Sequence, residues 1–188
     1  MDIKSILEER DIHTRIVPCE LEVAFSKLDK ENEAAFNKEF VNLLQSRYGS
    51  ITQWLNKNKS KNRTEDTDEV LLELLVELYQ KVESIEQILL NKTTQHIPLE
   101  YEGIADFVGH NVLCMPQDVF EEGAEYYVRL FLPVFPQRYI SLFATAIHQK
   151  IVKFERMHYN DAGDFDNFVA QMERLAIVNA KKSHKIEE

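Results

Sequence analysis

Leu71, Leu75, Leu78, Val82, Ile85 and Leu89 follow one another at intervals of 4, 3, 4, 3 and 4 residues. That alternation is a heptad seam, and it commits the chain to a helix whose apolar stripe is covered by other helices. Leu72, Leu74, Val76, Ile88 and Leu90 widen the stripe beyond a two-stranded seam. A helix this apolar needs cover on more than one side. It is either a core helix packed within its own domain or one strand of a bundle of three or four copies. The downstream residues favour the bundle. After Asn91 the chain turns to β patterning and offers the helix few helical partners of its own.

The seam has a marked entrance. Glu65-Asp66-Thr67-Asp68-Glu69 sets carboxylates at the positive end of the helix dipole, with Asp66 and Glu69 spaced as in a capping box. Just before it, residues 56–63 carry Lys57, Lys59, Lys61 and Arg63 with no apolar residue, the composition of a solvated linker or helix end, with a phosphate or membrane-headgroup site as the sharper alternative. Upstream, Leu21, Val23 and Phe25 alternate with polar residues and predict a strand over Glu20–Phe25. Asp29 is placed to cap a helix in which Ala35, Phe36, Phe40, Leu43 and Leu44 recur at helical spacing, with Gly49 at its end.

From Ile97 onward short β runs recur at roughly ten-residue spacing. They cover Glu100–Val108, with Gly103 read as a turn or bulge, then Asn111–Met115, Tyr126–Leu132, Tyr139–Ile147 and Lys150–Met157. Asp161-Ala162-Gly163-Asp164 reads as a turn. A closing helix is predicted from Phe165 to about Lys182, with Phe165, Phe168, Val169, Met172 and Leu175 on one face. The fold class is therefore α+β, a small antiparallel barrel or sandwich closed by a helix.

Composition narrows the chemistry. The 188 residues include 22 Lys and Arg against 32 Asp and Glu, a net charge of −10. That balance disfavours nucleic acid as a partner, since phosphate contacts need clustered cations. No apolar run approaches a membrane span, so no membrane partner is expected and the chain reads as cytoplasmic. Cys19 and Cys114 are far apart and outside any C-x-x-C pattern, and Cys114 in its apolar strand reads as an inert buried thiol. The histidines show no H-E-x-x-H and no i, i+4 pair, although His148 and His158 could face one another from neighbouring strands. Asp161, Asp164 and Asp166 have a calcium-like spacing but lack the remaining ligands, so a turn and a helix cap are expected there. The five glycines are too dispersed for a phosphate cradle. No catalytic residue, cofactor site or metal site is assigned, and an enzyme is the remote alternative.

The order of features resembles a known family. The helix Leu71-Leu72-Glu73-Leu74-Leu75-Val76-Glu77-Leu78 leads into Ile97-Pro98-Leu99-Glu100-Tyr101-Glu102-Gly103-Ile104. Gly123 comes next, then Tyr127-Val128-Arg129-Leu130-Phe131-Leu132-Pro133, a strand from Tyr139, and Phe154-Glu155 before the final helix. This looks like a PilZ domain of the divergent kind that carries a heptad helix ahead of its barrel. The resemblance covers about residues 68–182. It implies a six-stranded β-barrel with a C-terminal helix and a tetramer built through the long helix. The organisation expected is residues 1–63 as a mixed, partly helical N-terminal region, 64–92 as the oligomerisation helix, 93–182 as the PilZ-like barrel with its helix, and 183–188 as a tail.

The family's usual ligand is cyclic di-GMP, held by R-x-x-x-R ahead of the barrel and D/N-x-S-x-x-G on its first strands. Residues 89–97 contain no Arg, and Lys92 cannot form a bidentate fork. Aligning the second motif on Gly103 puts Pro98 at the Asp/Asn position and Glu100 at the Ser position. Arg10 and Arg15 lie far upstream with the wrong spacing. The resemblance thus implies the fold, while these residues argue against the ligand. The expected function is a non-enzymatic bacterial adaptor: a homo-oligomer, tetramer favoured, formed through residues 68–92. Its seam of Leu71, Leu75, Leu78, Val82, Ile85 and Leu89 is the interface, and its other partners are signalling or motility proteins. The alternative is a cyclic di-GMP sensor with an altered site, for which Arg129 and Arg138 are the first candidates.

Overall fold

A computed structural model of the chain describes residues 3–47, 71, 74–76, 78, 79, 81, 82, 85, 96–133 and 138–186. Two compact units divide it: residues 1–36 with 98–188, and residues 37–97.

The first unit is a closed six-stranded barrel with a C-terminal helix. Its strands are β1 (Val17–Lys27), β2 (Tyr101–Gly109), β3 (Val112–Cys114), β4 (Glu125–Leu132), β5 (Arg138–His148) and β6 (Ile151–Met157). They pair in the order β1-β2-β3-β6-β5-β4, and β4 returns to β1 to close the ring, every pairing antiparallel. The expected β runs therefore all form, in an α+β fold with the barrel and C-terminal helix that the resemblance implied. The barrel does not confine itself to residues 93–182, however. That interval holds five strands, and the sixth is β1, from the region expected to be a separate N-terminal part. Local pattern identifies a strand but not its partner, which here lies far along the chain.

The inward faces follow from period-two alternation. Leu21, Val23 and Phe25 of β1 meet Val128, Leu130 and Leu132 of β4 and Ile140 and Leu142 of β5 in one buried cluster. β1 carries an irregularity between Pro18 and Leu21, where the residue lacking an N–H falls at a break in the ladder. Gly103, expected at a bulge, instead sits in regular register opposite Val23. A Cβ there would lie 3.0 Å from the Met115 methyl, so close packing explains the glycine.

Helices seal the barrel. In α1 (Ile3–Glu9), Ile6 and Leu7 pack against Val112, Cys114 and Ile151 in a second apolar cluster. Asp11, with φ at 56°, ends that helix in the left-handed region, and the Ile12 amide donates back to the Leu7 carbonyl at 2.9 Å. α2 (Glu33–Arg47) is capped as expected: the Asp29 carboxylate accepts from the Glu31 and Asn32 amides, both at 2.8 Å, and the Asp29 carbonyl accepts from the Glu33 amide. Its Phe36 stacks on Tyr127 with centroids 4.7 Å apart.

The C-terminal helix, α3, runs from Tyr159 to Ile186 and begins six residues before the expected start. The supposed Asp161–Asp164 turn is its first turn and a half. Carboxylates there are favoured by the helix dipole, and Arg138 draws two of them inward. Phe165, Phe168 and Val169 join the main cluster, with Phe165 edge-on to Phe154.

Candidate functional site

Within residues 71–85 every described residue is helical. Leu71, Leu75, Leu78, Val82 and Ile85 are 52–59% exposed, so the heptad residues share one solvent-facing surface. Leu89, the sixth seam residue, lies outside the described residues. Leu74 and Tyr79 are also exposed. The apolar spacing does not single out Tyr79, although its position four residues after Leu75 carries the signal. Full burial of a leucine or isoleucine contributes about 1.5–3 kcal/mol. Covering the half that remains open on five such residues offers about 5 kcal/mol per chain, before the entropy of association is subtracted.

The nucleotide candidates are placed differently. Arg138 at the start of β5 donates to Asp161 at 2.8 Å and to Asp164 at 2.6 Å. One guanidinium faces two carboxylates there, and Asp161 is itself buried. Spacing of i, i+3 on a helix pairs these aspartates, a signal that the turn-like composition of the segment hides. Arg129 is buried on β4, with its guanidinium carbon 5.8 Å from the Tyr139 ring centre. Arg10 pairs with Glu122, and Arg15 lies 4.0 Å from Glu173. Glu100 is exposed, its amide donating to Ser26 Oγ at 2.8 Å. The basic run 56–63 and the acidic residues 65–69 lie outside the described residues.

The β5–β6 register sets His148 opposite Ile151, while His158 follows Met157 at the far end of that ladder, so the two histidines do not face one another. Asp166 of the aspartate trio pairs with His110 at 2.7 Å instead of joining the other two. Burial, reinforced by the Asp106 charge, pushes the thiols of Cys19 and Cys114 up to about 12, which keeps both protonated at neutral pH. Among the described residues, no group of three His, Cys, Asp or Glu is placed to hold a metal. No helix there is long and apolar enough to cross a membrane. A surface concavity of about 410 Å³ lies between the end of α1 and strands β5 and β6. Two cations line it, and each is held by a carboxylate, Arg10 by Glu122 and Lys153 by Glu155; His13 Nε2 lies 3.1 Å from Asp11 Oδ1.

No family model matches the chain, and no curated protein does. A solved structure does. It is that of a pathogenic protein from Xanthomonas campestris, described as a new tetrameric PilZ domain self-assembled via an unusual helical bundle. The two chains are 13% identical, the match covers 93% of this chain and 99% of that one, and the TM-score is 0.45. The fold described above rests on its own strand pairings.

Proposed function

We propose that this protein is a non-enzymatic, cytoplasmic regulatory adaptor of the PilZ type. It acts as a homo-oligomer, tetramer favoured, through residues 68–92, contacts signalling or motility proteins, and does not bind cyclic di-GMP. The observation that carries the proposal is the exposure of Leu71, Leu75, Leu78, Val82 and Ile85 along one helical face. Contiguous apolar surface of this kind marks an interaction site. A regular heptad favours identical helices as its cover, and the extra width given by Leu74 and Tyr79 favours more than two of them. Light scattering on the full chain tests this directly: a mass of several chains is expected, and a single-chain mass at micromolar concentration would refute it.

The same reading leaves cyclic di-GMP without a seat. A ligand with two phosphates needs guanidiniums free to fork onto it. Arg138, the best-placed candidate, is already bracketed by Asp161 and Asp164. Each charge-assisted contact contributes about 1.5–3 kcal/mol, and losing about 5 kcal/mol weakens a micromolar site by between three and four powers of ten. Titration calorimetry is expected to give no saturable binding below about 100 μM. Saturation below that concentration would favour the altered-site sensor.

A further inference from the structure

We propose that the open edge of β2 accepts an added strand from a partner protein, an extended segment in which Lys or Arg alternates with apolar residues. The proposal concerns the barrel alone and stands whether or not the chains associate. The ring closes unevenly here. β2 has nine residues and β3 only three, so β3 pairs with residues 107–109 and leaves residues 101–106 paired to β1 on one side. After Cys114 the chain meets Pro116, which has no N–H, and turns to the β5–β6 hairpin, where the Met115 and Val119 amides donate to the Lys150 and Gln149 carbonyls. Alternate peptide groups of residues 101–106 therefore point away from β1, and among the described residues no other backbone receives them. Such an edge, about 20 Å long at strand spacing, is a template for a further strand.

The side chains along this edge select the occupant. Ile104 is 56% exposed and Tyr101 50%. Around them stand Glu20, Glu22, Glu100 and Glu102, all exposed, and among the described residues none is paired with a cation. Glu22 lies opposite Ile104, and Glu102 lies opposite Ala24, so two carboxylates flank the isoleucine on the outer face of the sheet. A second copy bringing the same edge would set carboxylate against carboxylate, which is unfavourable. A basic strand reverses the sign. Its cations, on the outer face, reach Glu22 and Glu102 while their methylene stems cover Ile104. Its apolar residues, on the other face, lie beside Tyr101, which stacks on Phe25 at that end of the barrel. In strand addition the main-chain bonds supply affinity and the alternating side chains choose the partner.

The probe is an end-blocked fluorescent peptide in which Lys alternates with Val over about eight residues, enough to span the edge. Titrated with the full chain and followed by anisotropy, it is expected to saturate below about 100 μM, and absence of saturation there overturns the proposal. The same peptide with Glu in place of Lys is expected not to bind. Methylating alternate backbone nitrogens keeps every charge and removes the edge bonds, and is expected to weaken binding by about tenfold or more. Undiminished binding of the methylated peptide reduces the contact to charge attraction and overturns strand addition. On the protein, Glu22→Lys together with Glu102→Lys is expected to weaken the Lys peptide by about tenfold or more and to admit the Glu peptide. The unfolding midpoint should stay in place, since both side chains are exposed. Unchanged affinity for both peptides overturns the proposal. Light scattering on Ile104→Asp checks the remaining occupant: an unchanged mass is expected, and a lower one assigns the edge to a second copy and overturns the basic partner.

Discussion

In the barrel, Leu21, Leu113, Leu130 and Leu142 are at most 1% exposed; in the 71–85 helix, Leu71, Leu75 and Leu78 are more than half exposed. The residue type is the same and the pattern is equally regular, with a period of two in one region and a heptad in the other. What differs is where the cover comes from. A strand in a closed ring has a neighbour on each side and a helix over its open end, all supplied by the same chain. Among the described residues of the 71–85 helix, Leu71, Leu75, Leu78, Val82 and Ile85 stay more than half exposed. Patterning therefore states that a surface will be buried, and only the fold states whether one copy is enough.

Substitutions can break that contrast. Leu130→Ala strips a fully buried side chain from the barrel and is expected to lower its stability by about 2–5 kcal/mol in chemical denaturation, with the oligomeric mass unchanged. Arg138→Ala leaves Asp161 and Asp164 close together without their cation. The expected loss is about 2–3 kcal/mol, below that of a wholly buried pair because the guanidinium keeps some contact with water. Changing both aspartates to asparagine in that background is expected to recover most of it. Leu78→Asp should do the reverse of Leu130→Ala. It sets a charge in the seam and is expected to lower the mass seen by light scattering, while the barrel's unfolding free energy changes by about 0.5 kcal/mol or less. If Leu78→Asp unfolded the barrel instead, the two regions would not be independent.

A pH titration sharpens the contrast most gently. Both thiols have folded pKa values of about 12 against an ordinary 9.0, so the folded state holds its protons more tightly. Their contribution is complete below pH 9 and is lost as pH rises towards 12, because the unfolded chain ionises first. Barrel stability is expected to fall by about 1 kcal/mol per pH unit per thiol above pH 9, and Cys114→Ala is expected to flatten that slope. Any alkaline change in oligomeric mass should not share the effect.

Much of this is legible in the sequence, for physical reasons that also mark where legibility stops. Alternation exposes each β run, and the 4-3 spacing exposes the seam, because both are local periodicities. Pairing is not local. Val23 gives no hint that its neighbours are Gly103 on one side and Leu130 on the other, so nothing in β1 itself assigns it to the barrel. Asp161, Gly163 and Asp164 have the composition of a turn, and what makes them helical is the dipole together with Arg138, which precedes them by more than 20 residues. The seam's direction is readable, but its exposure is not: solvent contact depends on everything else the chain brings near.

Phe25 lies opposite Tyr101, so β1 and β2 form an ordinary antiparallel hairpin whose turn has been replaced by residues 28–100. Stretching a hairpin loop from a few residues to that length takes about four doublings, an entropic penalty of about 2–3 kcal/mol. Closure of the ring by β4 on the other edge of β1 offsets it. The seam thus travels as a cassette spliced into a turn, with both splice points on adjacent strands. Segments joined in this way can be exchanged without altering the register of the strands that hold them. Replacing residues 64–92 by a helix of different heptad preference, with Phe36 kept on Tyr127, is expected to change how many chains the proposed oligomer gathers while leaving each barrel the same.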